Sequence, residues 1–194
     1  MRTEPEAGGM WPWGHLAFGY LLYSVLVRVR TRRPPGDAAT VALAVGTQFP
    51  DLVDKPLAWS LDVLPSGRSL AHSAFTAAFV VFVVWAVLRR RNAETAAAAF
   101  GVGYVSHLVG DALDPVLAGD YYHLGFLGWP LVPAIEYPTE QSFVAHFREL
   151  SLGSLTSVEA GFAVAITLLW LVDGAPGARA LRTIPKWARR VLSA

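Results

Sequence analysis

The apolar residues of this chain fall into long stretches without a single charge, and that patterning limits its possible folds more than any other feature. Residues 11–27, 38–50, 69–88 and 95–110 contain no Asp, Glu, Lys or Arg, and residues 150–172 are interrupted only by Glu159. A helix crossing the roughly 30 Å hydrocarbon core of a bilayer takes about 20 residues, with about 17 as a working minimum. The third and fifth runs meet that length, and the first does so if Arg28 snorkels to the interface. The second and fourth are short, but Ala42, Ala44, Gly46, Gly101 and Gly103 would let their helices approach neighbours closely. The expected architecture is therefore all-α, a multi-pass membrane bundle of about five helices over 1–178.

Composition agrees with this and removes other classes. Hydrophobic residues make up 54% of the 194 and charged residues 16%, whereas soluble chains average about 25% charged. Disorder is excluded by the same figures. The 16 Lys and Arg nearly cancel the 15 Asp and Glu, so no nucleic acid partner is expected from bulk charge. Cysteine is absent, which leaves His, carboxylate or backbone to hold any metal. Glu4, Glu6 and the Trp11-Pro12-Trp13 cluster do not suit a signal peptide, so the first run reads as a mature helix.

Basic residues suggest an orientation. Arg28 to Arg33 follow the first run, Arg89 to Arg91 the third, and Arg179, Arg182, Lys186, Arg189 and Arg190 the fifth. In a five-helix path these junctions share one side, which the positive-inside rule makes cytoplasmic. The amino terminus is then outside and the carboxyl terminus inside. At 179–194, Leu181, Ile184, Trp187 and Val191 recur at helical spacing among bases, suggesting an amphipathic cytoplasmic tail. The Gly-, Pro- and aromatic-rich stretch 114–138 reads as an outer loop or re-entrant cap.

On this topology His15, Asp51, Asp54, His72, His107 and Asp111 all fall at the outer ends of their helices. Ionisable groups at a bilayer are costly and mark a bundle interior or wet cavity with a task. His107 and Asp111 are four residues apart, so both project from one helix face and can share a cation. A sulfur-free His and carboxylate set suits zinc, manganese or iron. His123, His146 and Glu149 lie on outer loops as further candidates, and Glu159 as a partner to the ligands from within the fifth helix.

Gly14-His15, Phe49-Pro50-Asp51 with Asp54, Gly67-Arg68-Ser69-Leu70-Ala71-His72-Ser73, Ser106-His107-Leu108-Val109-Gly110-Asp111 and Gly128-Trp129-Pro130-Leu131 occur in an order that resembles a known family. It is that of the membrane-bound metal-dependent hydrolases described as LexA-binding and inner-membrane-associated. The family is distantly similar to zinc-dependent phospholipases C and fungal single-strand nucleases, helical enzymes that cleave phosphoesters with zinc held by His and Asp. The likeness covers residues 14–131. It implies His15, Asp51, His72, His107 and Asp111 as metal ligands. The family's second Pro-Asp-x-Asp carboxylate falls one residue later here, at Asp54, and Gly67 stands where the family has a His. His123 is the leading substitute for a missing ligand.

The expected function is thus a membrane-bound hydrolase with a divalent ion, zinc foremost, at the outer interface. Asp51 and Asp54 are its candidate catalytic carboxylates, and a phosphoester or lipid-like molecule reached from the bilayer is its substrate. The rival class is a small transporter or ion-binding protein using the same cluster. A third is a scaffold whose basic loops bind a cytoplasmic protein partner.

Overall fold

A computed structural model of the chain describes residues 10–135 and 157–179. In order they form α1 (Pro12–Thr31), α2 (Asp37–Trp59), α3 (Ala74–Arg89), α4 (Glu94–Ala118), a 3-10 helix (Tyr121–Gly128) and α5 (Val158–Val172). Local chemistry sets these limits. Pro12 opens α1, where its missing N–H is no loss, and Arg32 closes it in the left-handed region with its N–H on the Arg28 carbonyl. The hydroxyls of Ser73 and Ser157 accept the N–H groups of Phe75 and Ala160 at the starts of α3 and α5. Gly119, at φ 70°, ends α4.

The centre of the molecule is the contact of α2 with α4, which small residues make possible. A Cβ on Gly46 would lie 2.3 Å from the Phe100 carbonyl oxygen, and one on Gly103 would lie 2.4 Å from that of Leu43. The two backbones therefore touch without side chains between them, as the small residues of these runs predict. Packed around this contact, Ala17, Tyr20, Tyr23, Leu43, Ala99 and Ile166 form one buried cluster, and Ala77, Phe100, Tyr104, Leu108 and Phe126 a second under α3 and the 3-10 helix. Beside it α5 runs parallel to α1. Glu159 at the start of α5 accepts the Trp11 N–H at 2.7 Å, and Asp173 just past its end pairs with Arg28 near the end of α1.

The fold is all-α, but the expectation of a multi-pass bundle of about five spans is overturned. Among the described residues only α4 is both long and apolar enough to cross a membrane. α3 and α5 have 16 and 15 residues, about 24 and 22 Å at 1.5 Å per residue. The charge-free run at 69–88 is longer than the helix in it because Asp54 takes the amides of Ser69, Ala71 and His72, holding them in a loop. α1 and α2 have the length without the sustained apolarity. The orientation, amino terminus outside and carboxyl terminus cytoplasmic, falls with the spans, since alternate junctions share a side only if each intervening helix crosses. α4 also runs on to Ala118, into the stretch expected to be loop. His146, Glu149 and the tail from 180 onward lie outside the described residues.

Candidate metal centre

Three separate segments deliver the site's side chains to one end of the helices. α2 supplies Asp51 and Asp54, the loop before α3 supplies His72, and α4 supplies His107 and Asp111. His15, on the first turn of α1, lies against them. His15, Asp54, His72, His107 and Asp111 are all buried.

The geometry is that of a chelate. His72 Nε2 and His107 Nε2 are 3.1 Å apart. Asp111 Oδ2 lies 3.3 Å from the first and 3.4 Å from the second. Asp51 Oδ1 lies 3.5 and 3.7 Å from the same two nitrogens. Donors at about 2.0 to 2.1 Å from one tetrahedral ion stand roughly 3.3 to 3.4 Å apart, so the His72, His107 and Asp111 atoms have the spacing of three ligands of one ion, with Asp51 beside them. Asp111 Oδ2 is also buried without a hydrogen-bond partner. By distance alone two groups can hold a metal ion, His72 with His107 and Asp111, and His15 with Asp51 and His107.

The remaining ring nitrogens of the two central histidines are tied down, as metal-bound imidazoles usually are. His107 Nδ1 donates to the Thr47 carbonyl at 2.6 Å, a bond that depends on the backbone approach of α2 to α4. His72 Nδ1 lies 2.9 Å from Asp54 Oδ2. Both bonds leave Nε2 turned to the shared centre. Asp54 also accepts the backbone N–H groups of Ser69, Ala71 and His72, and Tyr104 donates to the Ala71 carbonyl at 2.6 Å beneath the same loop.

Two cations flank the carboxylates. Lys55 Nζ is 2.7 Å from Asp51 Oδ2, one turn along α2, and an Arg68 guanidinium nitrogen is 3.3 Å from Asp111 Oδ1. Burial disfavours charge on His72, but hydrogen bonds to Asp111, Asp51 and Asp54 outweigh it and push the imidazole up to about 10. Burial likewise opposes charge on Asp51, while His72, Lys55 and His107 hold it well below the usual carboxylate range.

Of the expected ligands among the described residues, only His123 stands apart. His15, Asp51, His72, His107 and Asp111 meet, and Asp54 stands directly behind His72. His123 sits apart on the 3-10 helix, with Nδ1 2.6 Å from Asp120 Oδ2, and belongs to neither metal-capable group. Glu159 is spent on the Trp11 N–H at the start of α1. Sequence reasoning missed Lys55 and Arg68 as members of the site. The spacing of Asp51 and Lys55, four residues apart in a helix, was the available signal for the first; Arg68 had only its place within the Gly67 to Ser73 motif.

Two imidazoles and two carboxylates suit manganese and iron as well as zinc. The expectation of zinc in particular, and of phosphoesterase chemistry with it, is therefore not carried by this donor set. The site supports a divalent ion. Residues 10–175 match the model of a family described as YdjM inner membrane protein. No curated protein and no solved structure matches the chain.

Proposed function

The chain belongs to the YdjM inner membrane protein family, and from that premise we propose that it is a membrane-associated, metal-dependent hydrolase. The observation that carries this reading is the group His72 Nε2, His107 Nε2 and Asp111 Oδ2 at 3.1 to 3.4 Å from one another, with Asp51 Oδ1 3.5 and 3.7 Å from the two nitrogens. A bound divalent ion would supply Lewis acidity, polarising a substrate oxygen and lowering the pKa of water toward roughly 7.

The chain's own groups do the rest. Asp54 and the Thr47 carbonyl fix the two imidazoles in the tautomer that presents Nε2. Lys55 and Arg68 hold the outer oxygens of Asp51 and Asp111, so each carboxylate keeps one oxygen for the ion. Asp54 is fully buried with both oxygens engaged by amides and His72, so it orients His72 rather than taking a proton from water. Asp51 and Asp111 balance a divalent ion. Lys55 and Arg68 add two positive charges and Asp54 removes one, leaving the centre with a net positive charge. Such a centre favours a reaction in which negative charge develops on oxygen, as in ester hydrolysis.

A membrane-accessible substrate is supported by the site's surroundings. His107 and Asp111 ride on the apolar α4, and Phe75 and Phe79 stand exposed on the first turns of α3, just after His72. Tyr121 and Tyr122, both exposed, follow α4 at the same end.

The test is metal analysis of purified protein with a panel of phosphoesters and carboxylic esters. Hydrolysis lost on chelation and restored by one divalent ion is the expected result. Metal content unchanged by both His107→Ala and Asp111→Ala overturns the site.

A further inference from the structure

Distance groups His15 with the ligands, but the planes of the rings do not. An ion bound by an imidazole lies in the plane of the ring, on the axis of the nitrogen lone pair. His72 and His107 are inclined at 62°, with Nε2 atoms 3.1 Å apart, so their lone pairs converge on one point. His15 instead lies flat on His107, with centroids 3.8 Å apart and planes within 17°. Lone pairs in two stacked rings run side by side and do not meet. An ion in the plane of His107 therefore sits well out of the plane of His15.

The hydrogen bonds separate His15 in the same way. His72 and His107 each have Nδ1 committed to an oxygen, whereas His15 Nδ1 is buried without a partner among the described residues. His15 Nε2 lies 3.5 Å from Asp111 Oδ1, the oxygen beside Arg68 and not the one that faces His72 and His107. Gly110 makes the position possible, because a Cβ there would come within 3.0 Å of His15 Nδ1.

Building on the metal-centre reading, we propose that His15 is not a ligand of the ion but a positioning residue, stacking on His107 and turning an Nε2–H to Asp111 Oδ1. It sets the tilt of one imidazole ligand and, with Arg68, the rotation of one carboxylate ligand. Its own place is fixed from α5. Glu159 holds the Trp11 N–H, the Trp11 carbonyl accepts the His15 N–H at 3.1 Å, and Gly14 leaves room for the Glu159 carboxylate.

Cobalt(II) is a suitable probe, followed by titration and X-ray absorption on the full-length protein. The wild type is expected to bind one ion with two imidazoles in its shell. His15→Ala should retain that stoichiometry and imidazole count while binding roughly 10 to 100-fold more weakly. His15→Gln, whose amide can still donate to Asp111, should recover part of the loss. Three imidazoles in the wild-type spectrum overturn the proposal alone, as does a His15→Gln protein that loses cobalt as fully as His107→Ala. A wild type that takes up no cobalt overturns the metal-centre reading with it. The wild-type spectrum decides the matter even if a variant fails to fold.

Discussion

Asp54 shows how much one buried carboxylate can organise. Its oxygens bind the amides of Ser69, Ala71 and His72 and the His72 ring together, so it shapes the loop and aims the imidazole in one step. Asp54→Asn puts an amide N–H where one of those donors now points and removes the charge that holds His72 Nδ1–H. Metal affinity should fall about 10 to 100-fold, which a competition titration against a chelator measures; an unchanged affinity would show that His72 needs no such partner. His72 also makes a pH prediction with a definite sign. Its folded pKa of about 10 lies above the ordinary 6.5, so its contribution to the stability of the ion-free protein is complete below about 6.5 and disappears as pH rises through 10. Because an ion must displace that proton, apparent affinity should climb up to about tenfold per pH unit between 7 and 9. Isothermal titration in buffers of different ionisation enthalpy would reveal the released proton, and a flat affinity with no proton release would contradict it.

At the scale of elements, the site depends on how closely α2 and α4 pack. The Thr47 carbonyl reaches His107 Nδ1 because Gly46 and Gly103 let the two backbones meet nearby. Gly46→Val forces a side chain into the Phe100 carbonyl, where no flexible group can yield. It should cost about 3 kcal/mol, the upper part of the range for overpacking, and weaken metal binding by shifting Thr47. Gly161→Ala is the control. Nothing lies within 4 Å of a Cβ at Gly161 in α5, so that change should stabilise by about 0.5 to 1 kcal/mol. Thermal unfolding in one detergent compares the two, and equal effects would show that the close approach does not matter. This contact was legible in the sequence, since Gly and Ala gathered in the two runs that became α2 and α4. The helix lengths were less legible. Freedom from charge measures solubility in lipid, but a helix stops where its end groups find other partners. Ser73 and the grip of Asp54 on the preceding loop shorten α3 to 16 residues, and no count of apolar residues contains that information.

Across the whole molecule, the sequence named the residues of the centre but not how they divide the work. The membrane topology that gathered these His and Asp at one face falls with the spans, and what the sequence carried of their meeting is the i, i+4 pair of His107 and Asp111 and the ordered motifs around the others. That His15 would lie flat on a ligand, that Asp54 would be sealed behind another, and that Lys55 and Arg68 would neutralise the outer oxygens all depend on side-chain direction, which spacing does not encode. The same holds at the opposite end of α1, where the bases after the first run read only as an orientation signal. Arg28 instead pairs there with Asp173, whose buried carboxylate also accepts the hydroxyls of Tyr20 at 2.7 Å and Ser24 at 3.1 Å. This cluster joins parts of the chain 145 residues apart and clamps α5 along α1. Asp173→Ala would leave three donors without their acceptor. Breaking a fully buried ion pair costs about 3 to 5 kcal/mol, and the partial exposure of Arg28 lowers that to about 2 to 3 kcal/mol here. The loss should appear as a lower unfolding midpoint both with and without added divalent ion, whereas His107→Ala should abolish the stabilisation that the ion gives. If Asp173→Ala instead removes the response to metal, α5 is a working part of the centre and not only a brace for α1.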